Sequence, residues 1–118
     1  MPPRTIRRDL ASGEDIHEAI IGLVLSEDIT HGRVTGTGRV RRATLACYDQ
    51  KQIRHHTVEI NAPVEILSMY GTAGVRNALP FADVHVVLAD DGGNGRGGHI
   101  LPGATPAEEC SIVIEVSR

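Results

Sequence analysis

Aromatic side chains are nearly missing from this sequence: one Phe, two Tyr and no Trp among 118 residues. The core must therefore be filled by aliphatic groups, and frequent Val and Ile favour strands for that purpose. Cysteine is also scarce. Cys47 and Cys110 stand far apart and form no Cys-x-x-Cys pair, so they read as reduced, partly buried thiols rather than a disulfide or a zinc pair. No apolar run approaches the ~20 residues that span a bilayer. The opening MPPRTIRRDL has no apolar stretch of the signal-peptide kind, and a cytoplasmic location is the default expectation. A basic surplus is absent as well, the formal net charge being −3. Dedicated nucleic-acid binders usually carry such a surplus, because phosphate contacts supply much of their affinity. Arg4, Arg7, Arg8, Arg39, Arg41 and Arg42 do gather in the N-terminal half, and we read them as solvated strand faces. Ser-His-Asp order, Gly-x-Ser-x-Gly and His-Glu-x-x-His are all lacking.

What remains is a hydrophobic fraction of 41%, ordinary for a globular chain and well above that of disordered segments. The length fits one domain over residues 1–118. Arg4 to Leu10 alternates and reads as a first strand. Ser12 is placed to cap a helix, with Asp15 near its positive end. Ile16, Ala19, Ile20, Leu23 and Val24 follow at helical spacing. They form one apolar stripe for a sheet to cover, and Gly32 marks the end or lies just beyond it. His17 falls on the solvent side of this helix and takes no role.

Beyond the helix the period changes to that of strands. Strands are predicted at 33–38, 40–48, 53–60, 64–70, 83–89, 98–101 and 111–116, with a loop over Gly71–Pro80. Thr105-Pro-Ala-Glu108 has a capping-box pattern that allows at most one helical turn. The absence of strand–helix alternation excludes a doubly wound parallel sheet. The expectation is an α+β fold: a mainly antiparallel sheet of about seven strands with one main N-terminal helix packed on it.

Three constellations bear on chemistry. Gly93-Asn-Gly-Arg-Gly-Gly98 matches Gly-x-Gly-x-x-Gly in form. A dinucleotide fingerprint must open a helix, whereas His99-Ile-Leu-Pro102 follows here, so no nucleotide cofactor is expected. The stretch reads as a hairpin turn, and Gly97-Gly98 allows a second backbone, subunit or ligand to approach. Asp83 and His85, two apart on a strand, share a face. If the hairpin centres on Gly92, His85 and His99 stand opposite one another, roughly 5 Å apart at Cβ. Asp83, His85 and His99 are then either the ligands of a divalent metal, zinc foremost, with open positions left for a small-molecule ligand, or a structural polar group beside a turn. Glu65 lies in an otherwise apolar strand. It is either on an exposed face, or a polar group in a subunit cleft, or a general base.

Four stretches also resemble the plants-and-prokaryotes conserved (PPC) domain, which plants fuse to AT-hook motifs and prokaryotes carry as a free-standing protein. Gly36-Thr-Gly38 with Ala43-Thr-Leu45 resembles its glycine pair and following strand. Pro63-Val-Glu-Ile-Leu-Ser-Met-Tyr-Gly71 is similar to its central strand, and Pro80-Phe-Ala-Asp-Val-His85-Val-Val-Leu88 to its histidine strand. Gly97-Gly-His99-Ile-Leu101, followed by Ala107-Glu-Glu109, is similar to its closing motifs. The likeness runs from Arg4 to Val116. It implies an antiparallel sheet packed on helix, a homotrimer, and a DNA-associated or regulatory role. Two departures stand out. Asp83-Val-His85 occupies the place where the family often has His-x-His, and these 118 residues contain no Arg-Gly-Arg-Pro, the AT-hook core that grips the minor groove.

Overall fold

The structure, a computed structural model, describes residues 3–117. Strand β1 (Arg4–Leu10) is followed by helix α1 (Ile16–Ser26). Seven strands complete the chain: β2 (His31–Val40), β3 (Ala43–Asp49), β4 (Arg54–Ile60), β5 (Val64–Arg76), β6 (Leu79–Ala89), β7 (Gly95–Ile100) and β8 (Ala107–Val116). All eight strands join one antiparallel sheet in the order β1-β8-β2-β5-β6-β7-β3-β4. The sheet thus has eight strands rather than about seven. The largest difference from the sequence reading is the expected loop at 71–80. Here β5 and β6 continue past Gly71 and close on a two-residue turn, Asn77-Ala78. Glycine and alanine in that stretch carry no strand signal of their own, and pairing with the neighbouring strands holds them extended.

The helix stripe behaves as its spacing predicts, with Ile16, Ala19, Ile20, Leu23 and Val24 all buried. Its cap does not. Asp15, not Ser12, is the N-cap, its side chain accepting from the Glu18 N–H. At the other end Asp28 takes a left-handed φ of 52, and the Ile29 N–H reaches back to the Val24 carbonyl. That is the six-to-one closure of a Schellman ending, with fully buried Ile29 as its hydrophobic contact. Gly32 is not the terminator but lies inside β2, opposite Ala73. Thr105 starts no helical turn. Its N–H, with that of Gly103, donates to the Asp15 carboxylate, and β8 begins at Ala107.

Helix α1 lies on one face of the sheet, over β5 and β6. Inward side chains from both layers, among them Val34, Val40, Leu45, Val84, Leu88, Ile112 and Ile114, form the aliphatic core. The other face carries alternate residues of the same strands, and among the described residues no second layer covers it. Both cysteines are free, Cys110 buried and Cys47 half-buried. No helix among the described residues is long and apolar enough to cross a membrane.

Candidate functional site

The open face acquires its chemistry from the register of β5, β6 and β7. Tyr70 pairs with His85, and His85 pairs with His99, so three rings stand in a row across three strands. The turn joining β6 to β7 spans Asp90–Asn94. The Asp90 carboxylate accepts from the Gly92 and Asn94 backbone N–H groups, and these bonds, led by that of Asn94, lower its pKa. Ala89 then meets Gly95, which sets the symmetry of the pair about Gly92. The opposed histidines anticipated from the turn are therefore present.

The Tyr70 and His85 ring centroids are 5.7 Å apart, and those of His85 and His99 are 5.9 Å apart in an edge-to-face arrangement. Asp83 shares their face, and its Oδ1 lies 3.4 Å from His99 Nδ1. A carboxylate beside Nδ1 favours the tautomer with its proton there and leaves Nε2 with a lone pair. Both Asp83 and His99 are more than half exposed, at 64% and 52%. Tyr70 belongs to this row although nothing in the sequence singled it out. The signal was available only through pairing, since no local motif ties Tyr70 to His85.

Two glycines fix the arrangement from behind. A Cβ at Gly71 would overlap the Asp83 carbonyl, so β6 approaches β5 closely beside the acidic residue. A Cβ at Gly98 would come within 2.8 Å of the Ala46 carbonyl. The backbone that Gly97-Gly98 admits is thus the chain's own β3, where Ala46 pairs with His99. The stretch 93–98 opens no helix; it spans the end of the turn and most of β7.

Glu65 is brought to a different place. It is exposed on β5 between Arg39 of β2 and Ala89 of β6. A register shift lies between Ile66 and Ser68, and roughly 15 Å of strand separates Glu65 from Tyr70. Among the described residues no three His, Cys, Asp or Glu side chains are gathered closely enough to hold a metal ion by themselves. The site offers two imidazoles to an ion, with Asp83 behind one of them. With nitrogen–metal bonds of about 2.0–2.1 Å, two rings on one ion have centroids about 5–6 Å apart, a spacing that the His85–His99 pair meets. Remaining positions would fall to water, a ligand or a second chain.

The N-terminal arginines mostly have acidic partners. Arg4 pairs with Glu27, Arg7 with Asp9, Arg8 with Glu14 and Arg41 with Glu108. The gathering read from the sequence is therefore largely neutralised on the folded surface.

An eight-stranded antiparallel sheet with one helix on one face and a histidine pair on the other defines a small α+β domain. The model of the Plants and Prokaryotes Conserved (PCC) domain matches residues 2–117, and the chain belongs to that family, also abbreviated PPC. A metal-containing protein from Archaeoglobus fulgidus is similar at 26% identity and a TM-score of 0.86, over 96% of this chain and 79% of that one. A plant- and prokaryote-conserved protein from Pyrococcus horikoshii has a TM-score of 0.86 at 20% identity, over 98% and 80% of the two chains. A protein from Bacteroides thetaiotaomicron described as a candidate DNA-binding protein has a TM-score of 0.85 at 18% identity, over 95% and 78%. No curated protein matches the chain.

Proposed function

We propose that this PPC-domain chain holds a divalent metal, zinc foremost, on the open face of its sheet. His85 and His99 are the ligands and Asp83 orients His99. The observation that carries this reading is the opposed histidine pair, with a carboxylate 3.4 Å from one Nδ1. The metal-containing A. fulgidus relative supports it. Such an ion would supply Lewis-acid polarisation to a small molecule bound beside it. Asp83 acts through His99, holding its ring and tautomer, and Tyr70 walls the other side of His85.

The test is metal analysis of untagged protein, followed by zinc titration. About one zinc per chain is expected. His85→Ala and His99→Ala should each abolish tight binding, and Asp83→Asn should weaken it about tenfold or more. Native protein without affinity for zinc, or alanine variants that bind as the native chain does, would remove the metal and leave a polar cluster. Assembly as a homotrimer belongs to the same proposal, and the open sheet face gives it a physical reason: alternate residues of eight strands lie bare there.

A DNA-associated or regulatory role is the second reading, favoured by the description of the B. thetaiotaomicron neighbour. The net charge of −3 and the acid-paired arginines weigh against direct contact with duplex DNA.

A further inference from the structure

A hollow of about 540 Å³ lies not at the histidine pair itself but next to it on the open face, over β1, β8, β2 and β5. Its volume falls in the range of small-molecule sites. Arg33, Glu115, Tyr70 and Thr72 line it. The register explains why they meet: Arg33 of β2 stands directly opposite Glu115 of β8 on one side and Thr72 of β5 on the other. Directly opposed residues have Cβ atoms roughly 5 Å apart, close enough for a guanidinium and a carboxylate to pair. Among the described residues Arg33 and Glu115 form no such pair, and the space lies between and above them. Arg4, whose residue also lines the hollow, is committed to Glu27 through both its side-chain and backbone oxygens. Among the described residues lining the hollow, Arg33 is therefore the guanidinium left to a ligand.

We infer that this hollow binds a zwitterionic small molecule of the α-amino acid class, with its carboxylate on Arg33 and its ammonium on Glu115. The charges decide the class. A plain anion meets Arg33 but is repelled by Glu115 and by Asp83, which pairs with Thr72 one strand further on. A plain cation meets Glu115 but is repelled by Arg33. Only a ligand carrying both signs a few ångströms apart satisfies both, and an unpaired charge left behind by either incomplete ligand discriminates against it. Tyr70 and Thr72 also line the hollow, and their hydroxyls are further donors available to a carboxylate. This inference does not rest on the metal: Arg33 and Glu115, which set the ligand class, lie outside the histidine row, and only Tyr70 and the charge of Asp83 are shared with it.

The experiment is calorimetric titration of the metal-free 118-residue chain with free L-α-amino acids. Each is compared with the acid that lacks its amine and the amine that lacks its carboxyl. At least one amino acid should bind with Kd below about 10 mM, and both of its truncated analogues roughly tenfold more weakly or worse. Arg33→Gln and Glu115→Gln should each lose roughly tenfold in affinity. Both positions are exposed, and circular dichroism should show both variants folded. In NMR titration of the native protein, the amides of Arg33, Thr72 and Glu115 should shift first. Absence of amino-acid binding, truncated analogues that bind as well as their parents, variants that retain full affinity, or amide shifts centred elsewhere would each overturn the proposal.

Discussion

At the tip of the β5–β6 hairpin, Asn77 and Ala78 both take left-handed backbone angles, with φ of 53 and 65. Two such residues in a two-residue loop make a type I′ turn, whose twist suits a hairpin and whose second position favours glycine. Alanine there bears a Cβ clash that glycine lacks. Ala78→Gly should therefore stabilise the chain by roughly 0.5–1 kcal/mol, read as a raised denaturant midpoint with unchanged slope. Gly38 is the converse case. Its φ is 130, and a Cβ would overlap the Glu109 carbonyl across β8. Gly38→Ala should cost about 2 kcal/mol or more. At the buried end of β8, Cys110 shows what burial does to a thiol. Its pKa is pushed up to about 11 from 9.0, because the thiolate would lose its hydration. The folded state keeps its proton where the unfolded chain has released it. Stability should accordingly fall as pH rises from about 9 to about 11. At pH 8 a thiol reagent should label Cys47 readily, while Cys110 reacts only on unfolding.

At the scale of elements, helix α1 hangs on one side chain. The Asp15 carboxylate caps the helix through the Glu18 N–H and also takes the Gly103 and Thr105 N–H groups from the segment before β8. A cap alone is worth about 0.5–2 kcal/mol, and Asp15→Ala removes two further partners. A loss at or above the top of that range is expected in urea unfolding, whereas Ser12→Ala should leave the helix cap intact. The sequence showed the helix itself because a 3.6-residue apolar stripe is a local signal. It misplaced the cap because Ser12 and Asp15 are both good cap types, and Asp15 is selected by donors some 88 to 90 positions further along the chain. The same distinction runs through the site. His85 opposite His99 was legible because the hairpin joining them is short and centred on glycines. Tyr70, Thr72 and Arg33 were not, because their neighbours are set by pairings between distant strands. The continuation of β5 and β6 through Gly71–Pro80 was hidden for the same reason: residues without strand preference are held extended by their partners. Replacing His99 tests how separable site and fold are. His99→Ala should change stability by less than about 1 kcal/mol, since the side chain is 52% exposed, yet it should remove zinc binding.

For the whole molecule, the governing asymmetry is that a single 11-residue helix covers one side of an eight-stranded sheet. The bare face displays Tyr70 and Val87 at 45% and 40% exposure, beside the histidine pair. Sheet surface of this kind is commonly buried by association with further copies. Light scattering at micromolar concentration should report three subunits, and a clean monomer mass would contradict the homotrimer. Assembly also sharpens the expectation for DNA. Each chain carries −3, and three copies carry three times that, so a duplex would meet a polyanion. Affinity for a duplex grows with the number of phosphates neutralised and counterions released. Here four of the six N-terminal arginines are held by acids, and no AT-hook core occurs in these residues. Gel retardation at moderate salt should therefore show no sub-micromolar complex with duplex DNA, and any weaker complex should lack a steep salt dependence. A tight, salt-sensitive complex would show that basic groups converge somewhere in the assembly in a way the isolated chain does not display. It would place the DNA-associated reading ahead of the metal site.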